Sequence, residues 1–264
     1  MTAPRRVLIT GAAGNMGRKL AAHFVDRHEL TLLDRDARGD ARIVVADLSV
    51  WSDDWAKRFE GVDTVFHFAA DPEAYRAWDE LIAPNVDALI HVYEAAARAG
   101  VRRVIFASSN HVMGGYQDEP RVRLSHDTPP QPGLRYVVDG QPRTSAAYAA
   151  AKLFGERLGK TFAESRGLET IAVRIGWIWR GAANEPRNLP RERGEWFRLM
   201  WLSDRDFLQL MDRCLEADLS DRFAIVNGMS ANTGMPWDLE PARRLLGYAP
   251  QDDIARWTTP WERT

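Results

Sequence analysis

Short apolar runs alternate along the chain with longer stretches in which apolar residues return every third or fourth position. Val7–Thr10, Leu30–Asp34, Ile43–Asp47, Val62–Ala70, Arg103–Ala107 and Glu169–Ile175 are near-continuous apolar runs. Such runs suit strands buried on both faces, as in a parallel sheet. Between them, Arg18–Arg27, Trp51–Glu60, Trp78–Gly100 and a stretch from Tyr148 to about Arg166 carry helical spacing. Within Trp78–Gly100, the residues Ala88, Val92, Ala95, Ala96 and Ala99 form a small-residue face for close packing. Gly100 stops that helix, and Asn85 near its start is a candidate polar contact beneath a site. Regular alternation of strand and helix predicts an α/β fold with a doubly wound parallel sheet.

Two stretches break the alternation. Tyr116–Ser145 is rich in proline and charge and too long for a simple connection, so it reads as a functional lid or as disorder. After Gly176 comes Trp177-Ile178-Trp179-Arg180 and then a loop dense in arginine: Arg187, Arg191, Arg193 and Arg198. A helix capped by Ser203 runs to about Ala217, followed by a strand at Phe223–Asn227 and a helix at Leu239–Leu246. This predicts a dinucleotide-binding unit over 1–176 and a small C-terminal substrate-binding cap over 177–264, too small to fold alone.

The candidate chemistry begins at the first junction. Gly11, Gly14 and Gly17, with Asn15 and Met16 between the last two, form a Gly-x-x-Gly-x-x-Gly turn between strand and helix. Glycines there let the backbone approach a pyrophosphate seated on the helix N-terminus, the Rossmann-type arrangement. Asp34 ends the second strand, where a carboxylate accepts the adenosine ribose 2′-hydroxyl and favours NAD. Arg35 and Arg38 follow it and can hold a 2′-phosphate, so NADP stays open; an ordinary turn is the plain alternative for Asp34. Asp47 and Leu48 close the third strand beside the expected adenine, and Ala69 is a small residue expected under the cofactor. His67 reads as a packed strand histidine. Ser109, Asn110 and His111 sit at the C-terminal end of the fifth strand, where chemistry gathers in open parallel sheets. Tyr148 and Lys152 share one helix face, and a nearby ammonium stabilises a phenolate, making Tyr148 a candidate general base. Such a pair alone is more often a solvated face; the glycine turn and Ser109 change its reading.

Composition narrows the setting. The chain of 264 residues has a formal net charge of -2, without the basic excess that nucleic-acid binding requires. Its single cysteine, Cys214, cannot form an internal disulfide, which suits a reducing compartment. Met1–Arg6 leads into a strand without the apolar core of a signal peptide, and no apolar run reaches membrane-spanning length. We expect a cytoplasmic protein with a small-molecule substrate, no nucleic-acid or membrane partner, and no metal.

With Gly11, Gly14, Gly17, Ser109, Tyr148 and Lys152 in this context, the chain resembles the short-chain dehydrogenase/reductase family, in particular its extended branch. Phe106–His111, Val173–Gly176 and Trp201-Leu202-Ser203 resemble the uronate dehydrogenases. Glu192-Arg193-Gly194, Met200–Ser203, Cys214–Asp218 and Leu246–Asp252 are similar to short NAD-dependent glucose-6-phosphate dehydrogenases of the same family, as is His67–Pro72. Both groups oxidise C1 of a pyranose that carries an anion at C6. The resemblance implies Tyr148 as base, Ser109 orienting the reacting oxygen, and Lys152 holding the nicotinamide ribose and lowering the Tyr148 pKa. It places Asn110, His111, Trp177, Arg193 and Arg198 on the substrate, and implies a homodimer built on the Trp78–Gly100 and Tyr148 helices. Trp177 stands where the uronate enzymes have a small polar residue. With the arginine-rich loop, that points to a 6-phosphate or a 6-sulfonate such as sulfoquinovose ahead of a uronate; a solvated loop is the plain alternative for any single arginine. Two rivals remain: a nucleotide-sugar epimerase or dehydratase, which shows no net NADH, and a non-catalytic dinucleotide sensor.

Overall fold

The computed structural model describes residues 4–119, 122–138, 140–180 and 183–260. Its strands are β1 (Arg6–Thr10), β2 (Glu29–Asp34), β3 (Ile43–Val45), β4 (Thr64–His67), β5 (Arg103–Ser109), β6 (Arg135–Val138), β7 (Gln141–Thr144), β8 (Glu169–Ile175) and β9 (Phe223–Gly228). Its α-helices are α1 (Asn15–Phe24), α2 (Asp53–Ala56), α3 (Trp78–Ile82), α4 (Ala88–Arg98), α5 (Ala146–Arg166), α6 (Gly194–Leu199), α7 (Asp204–Glu216) and α8 (Glu240–Leu246). Seven strands form one sheet in the order β3-β2-β1-β4-β5-β8-β9, every pair parallel. The chain winds outward from β1 in one direction, then returns to lay β4 on its other side. That reversal opens a crevice beyond the C-terminal ends of β1 and β4.

The core is apolar on both faces of the sheet, as the continuous runs predict; Leu8, Ile9, Val65, Phe66, Val104 and Ile171 are all buried. No helix among the described residues is long and apolar enough to cross a membrane.

Several elements depart from the sequence reading. The first helix starts at Asn15, inside the glycine motif, rather than at Arg18. The expected helix from Trp51 shortens to α2, with Ser52 Oγ accepting from Asp54 N at 3.2 Å, plus a 3-10 turn to Phe59. The long Trp78–Gly100 helix is interrupted between α3 and α4 by a π-helical turn, Ala83–Asp87. Pro84 lies in that turn and has no N–H for the α ladder. The turn brings Asn85 inward, where its side chain bonds Asp71 N at 2.7 Å and Asp71 O at 3.0 Å. The Tyr116–Ser145 stretch holds the antiparallel β6–β7 hairpin and a tie to the C-terminal region: Leu124 N donates to Pro236 O at 2.8 Å and Asp238 N to Leu124 O at 2.9 Å.

The division near residue 176 does not divide the sheet. β9 comes from the C-terminal stretch and pairs with β8 along its length, from Thr170–Phe223 to Ile175–Gly228. α7 packs on α1, with Lys19 bonded to Asp204 and His23 Nε2 2.8 Å from Asp212. Arg103, 1% exposed at its side chain, donates to Cys214 O at 2.8 Å and Ala217 O at 2.6 Å and pairs with Glu169 at 2.7 Å. A cation thus closes the carbonyl end of α7 against the start of β5.

Candidate active site

The glycine turn is built so that only backbone fits. Gly11 has φ of +67°, and a Cβ there would lie 2.7 Å from Ala69 N. A Cβ at Gly17 would lie 2.2 Å from Gly11 O, and one at Gly14 3.0 Å from the same atom. Gly14 caps α1 with no side-chain bond, so the first-turn N–H groups have no side-chain acceptor. Gly14, Asn15 and Met16 line a cleft of about 660 Å³ at the C-terminal end of the sheet. An uncapped helix N-terminus behind a Cβ-free turn fits a pyrophosphate.

Of the other expected cofactor residues, Asp34, Arg35, Asp47, Leu48 and Ala69 do not line the cleft. Asp34 Oδ2 accepts from Ala13 N at 2.9 Å, which ties the end of β2 to the turn. Arg35 is exposed beyond it, while Arg38, with φ of 47°, lines the cleft. Asp47 accepts from Ser49 Oγ at 2.6 Å; that bond, then the Ser49 N–H and the nearby Arg35, hold its carboxyl below the usual carboxylate range. Leu48 is buried, with His91 Nδ1 2.9 Å from its carbonyl oxygen. Ala69 N donates to Thr10 Oγ1 at 3.2 Å.

Ser109, Asn110, His111, Tyr148, Lys152, Trp177 and Arg193 all line the same cleft. α5 carries Tyr148 and Lys152 on one face, and β5 ends at Ser109, whose side chain acts to lower the Tyr148 pKa. Ser109 Oγ also accepts from His111 N at 3.1 Å. Lys152 Nζ donates to Ala107 O at 2.9 Å and lies 5.7 Å from the Tyr148 ring centroid.

The electrostatics correct one expectation. Tyr148 is pushed above its usual value of 10, mainly by burial; the Ser109 side chain and Arg180 pull it back, and Asp71 adds to the rise. The Lys152 ammonium, 5.7 Å from the Tyr148 ring centroid, does not offset that burial. Its ammonium is turned to the Ala107 carbonyl, and burial brings Lys152 itself down to about 8. Desolvation outweighs the helix-face pairing.

Asn110 Nδ2 donates to Ile175 O at 2.8 Å, leaving its buried Oδ1 without a partner. His111 packs edge-on to Tyr148, centroids 5.4 Å apart, with Nδ1 unpartnered. Trp177 meets Trp179 at 5.7 Å and Phe197 at 5.3 Å, both edge to face. The arginine loop divides. Arg193 lies over the Phe197 ring and has no carboxylate partner among the described residues. Arg187 pairs with Glu185 at 2.6 Å. Arg198, expected on the substrate, is instead 3% exposed and bonded to Glu195 at 2.7 and 2.5 Å, outside the cleft lining. α6 is one and a half turns long, and its apolar neighbours carry Arg198 inward with them.

Glu73, Tyr75 and Tyr136, not expected at the site, also line it, as does Arg180 from the arginine-bearing segment. Arg180 reaches Glu73 at 3.2 Å. Tyr75 and Tyr136 stand edge to face at 6.3 Å, and burial pushes Tyr136 up to about 12. Arg180 had a signal, since it follows β8 at the end where ligands gather. Tyr136 had none, because only the β6–β7 hairpin brings it there.

Two buried histidines link this region to acid stability. His67, as expected, is packed within its strand, Nδ1 2.7 Å from Thr10 Oγ1. Burial first, then the Lys152 charge, brings it to about 3, and burial brings His111 to about 4. Both folded values lie below the unfolded value of 6.5. The unfolded chain therefore binds more protons between these values, so stability is full above 6.5 and is lost as pH falls. The loss is roughly 2 kcal/mol per histidine by about pH 5. Thermal melts should fall across that range, and His111→Asn should reduce the slope. A melting temperature flat from neutral pH to 5 contradicts this.

The model of the NAD dependent epimerase/dehydratase family matches residues 7–178. L-arabinose 1-dehydrogenase (NAD(P)(+)) of Haloferax volcanii is 36% identical, over 95% of this chain and 98% of its own length. NAD-dependent glucose-6-phosphate dehydrogenase of the same organism is 34% identical, over 96% of this chain and 95% of its own. Among solved structures, a uronate dehydrogenase from Agrobacterium tumefaciens, a mutant complexed with NAD, superposes with a TM-score of 0.76. It is 30% identical and covers 98% of this chain and 91% of its own.

Proposed function

Because the chain belongs to the NAD dependent epimerase/dehydratase family, we propose that it is an NAD-dependent sugar 1-dehydrogenase acting on an aldose with an anion at C6. The observation that carries this is Arg193, free of any carboxylate among the described residues, in one cleft with Tyr148, Ser109 and Lys152. The bound oxidised nicotinamide supplies a hydride acceptor and a positive charge. Gly11, Gly14 and Gly17 with the open end of α1 would hold its pyrophosphate, and Asp34 would hold the adenosine ribose, which favours NAD over NADP. Lys152 would hold the nicotinamide ribose.

Tyr148 takes the proton from the anomeric hydroxyl, and Ser109 holds that oxygen by a hydrogen bond. Since burial raises the Tyr148 pKa, its phenolate forms only when positive charge stands close. His111 stays neutral at working pH, so it offers the sugar a hydrogen bond and no charge. The free Oδ1 of Asn110 is an acceptor for a sugar hydroxyl. Arg193 and Arg180 bind the C6 anion between the rings of Trp177, Trp179 and Phe197. Two arginines beside Trp177, which stands where the uronate enzymes have a small polar residue, support a 6-phosphate or a 6-sulfonate, as in sulfoquinovose, ahead of a uronate.

The test is NADH formation with glucose 6-phosphate, sulfoquinovose, glucuronate, galacturonate, glucose and L-arabinose, each with NAD and NADP. A C6-phosphate or C6-sulfonate sugar should exceed L-arabinose by at least about tenfold in kcat/KM, and Arg193→Gln should erase the advantage. A preference for an uncharged aldose overturns the anion assignment alone. Bound NAD with no net NADH on any sugar favours the epimerase reading.

We further propose a homodimer through α3, α4 and α5, where Trp78, Ile82, Ile90 and Phe154 are exposed on neighbouring elements. Light scattering that gives a monomer mass for the native protein would dismiss it.

A further inference from the structure

A charged pair lies beneath the catalytic residues and takes no part in the chemistry proposed above. Glu156 on α5 and Arg174 on β8 have side chains 1% exposed. Arg174 Nε donates to Glu156 Oε1 at 2.8 Å and Nη2 to Oε2 at 2.9 Å. Ser108 Oγ donates to the same Oε1 at 2.7 Å, and Arg174 Nη1 lies 3.2 Å from Met113 Sδ. A buried pair is poor evidence for stability, because desolvating both charges offsets their attraction and apolar side chains of like volume often do as well.

Its neighbours suggest its use. Ser108 stands between Ala107, whose carbonyl accepts from Lys152 Nζ, and Ser109, which lines the cleft with Tyr148. Glu156 is one helical turn beyond Lys152 on the same face of α5. Arg174 precedes Ile175, whose carbonyl accepts from Asn110 Nδ2. α5 is pressed close to β5 here, since a Cβ at Gly155 would lie 2.4 Å from the Phe106 ring. The cluster therefore joins α5, β5 and β8 at the positions next to the groups that act.

We propose that Glu156 and Arg174 are positioning residues for this reaction. They hold α5 against the ends of β5 and β8 so that Tyr148 stays on Ser109. Because their charges cancel, they do so without biasing the proton affinity of Tyr148 or Lys152. This rests on the reading of Tyr148 as the base.

Glu156→Gln tests it, since the amide keeps the shape but leaves the Arg174 cation uncompensated. The folded variant should lose at least about tenfold in kcat, with sugar KM and NAD Kd changed by less than about threefold. The acidic limb of its pH–kcat profile should move to lower pH, because an added cation favours the phenolate. In Glu156→Gln/Arg174→Met the limb should return to the wild-type position while kcat stays low. Should Glu156→Gln fail to fold in melting scans, Ser108→Ala decides, with an expected kcat loss of about three- to tenfold at unchanged KM. A folded Glu156→Gln with wild-type kcat, or with an unmoved acidic limb, overturns the proposal, as does a Ser108→Ala enzyme with wild-type kcat. Activity retained in Tyr148→Phe would overturn the base assignment instead, so the two failures are distinct.

Discussion

Tyr148→Phe should lower turnover by about 10³-fold while NAD binds with unchanged affinity. Phenylalanine keeps the ring that packs edge-on to His111 at 5.4 Å and removes only the hydroxyl. The cleft keeps its shape, and the glycine turn lies on another element. The loss should therefore fall on kcat, and a fluorescence titration with NAD should superpose on that of the native enzyme. The native pH profile carries the same signature. Burial raises Tyr148, so log kcat should climb with pH until the phenolate is formed, and the variant should lack that limb. Turnover within a few-fold of the native rate would remove Tyr148 from the mechanism.

Gly17→Ala should cost about 100-fold or more in NAD affinity, near 3 kcal/mol. The added methyl would stand 2.2 Å from Gly11 O and 2.7 Å from Ala12 Cα, both backbone atoms of the turn itself. Backbone cannot rotate aside as a long side chain can, so the turn must open and displace the first N–H groups of α1. Gly100→Ala is the control. Gly100 has φ of +69° with nothing within 4 Å of the added atom, so only backbone strain of about 1–2 kcal/mol applies. Gly100→Ala should melt earlier yet bind NAD normally in calorimetry. Equal NAD binding by Gly17→Ala and the native protein would rule out the turn as the pyrophosphate seat.

The readable part of this chain was its local part. Val7–Thr10, Gly11, Gly14 and Gly17 are neighbours in sequence, and their order is enough to announce strand, turn and helix. Ser109, Tyr148 and Lys152 could be brought together because parallel sheets gather their ligands at one end. Failures came where distant partners decide. No periodicity says that Phe223–Gly228 pairs with β8, since the partner lies some fifty residues earlier. The Trp78–Gly100 helix is broken by a π turn at Pro84 that spacing rules treat as plain helix, although Asn85 does make the buried polar contact expected of it. Arg193 and Arg198 look alike in a sequence, yet one lines the cleft and the other is buried against Glu195. The Tyr148 pKa went astray for a related reason: a four-residue spacing shows that Lys152 is near and is silent on how much water both have lost.

The neck of the substrate loop has a wider meaning. Trp177 N donates to Met200 O at 2.7 Å and Leu202 N to Trp177 O at 3.0 Å, so the chain leaves and re-enters the scaffold at almost one point. Asn184 fastens the same place, bonding Trp179 N and Trp201 Nε1 at 3.0 Å each and Leu202 O at 2.8 Å. Closure is thus set by the neck and not by the length of what hangs from it, and doubling a flexible loop adds only about 0.6 kcal/mol. The span from 185 to 199 is therefore anchored twice, at this neck and again by Leu189, Trp196 and Phe197, which are buried in the core. Its exposed positions, Arg193 among them, can change while the glycine turn and the helix that bears Tyr148 are left as they are.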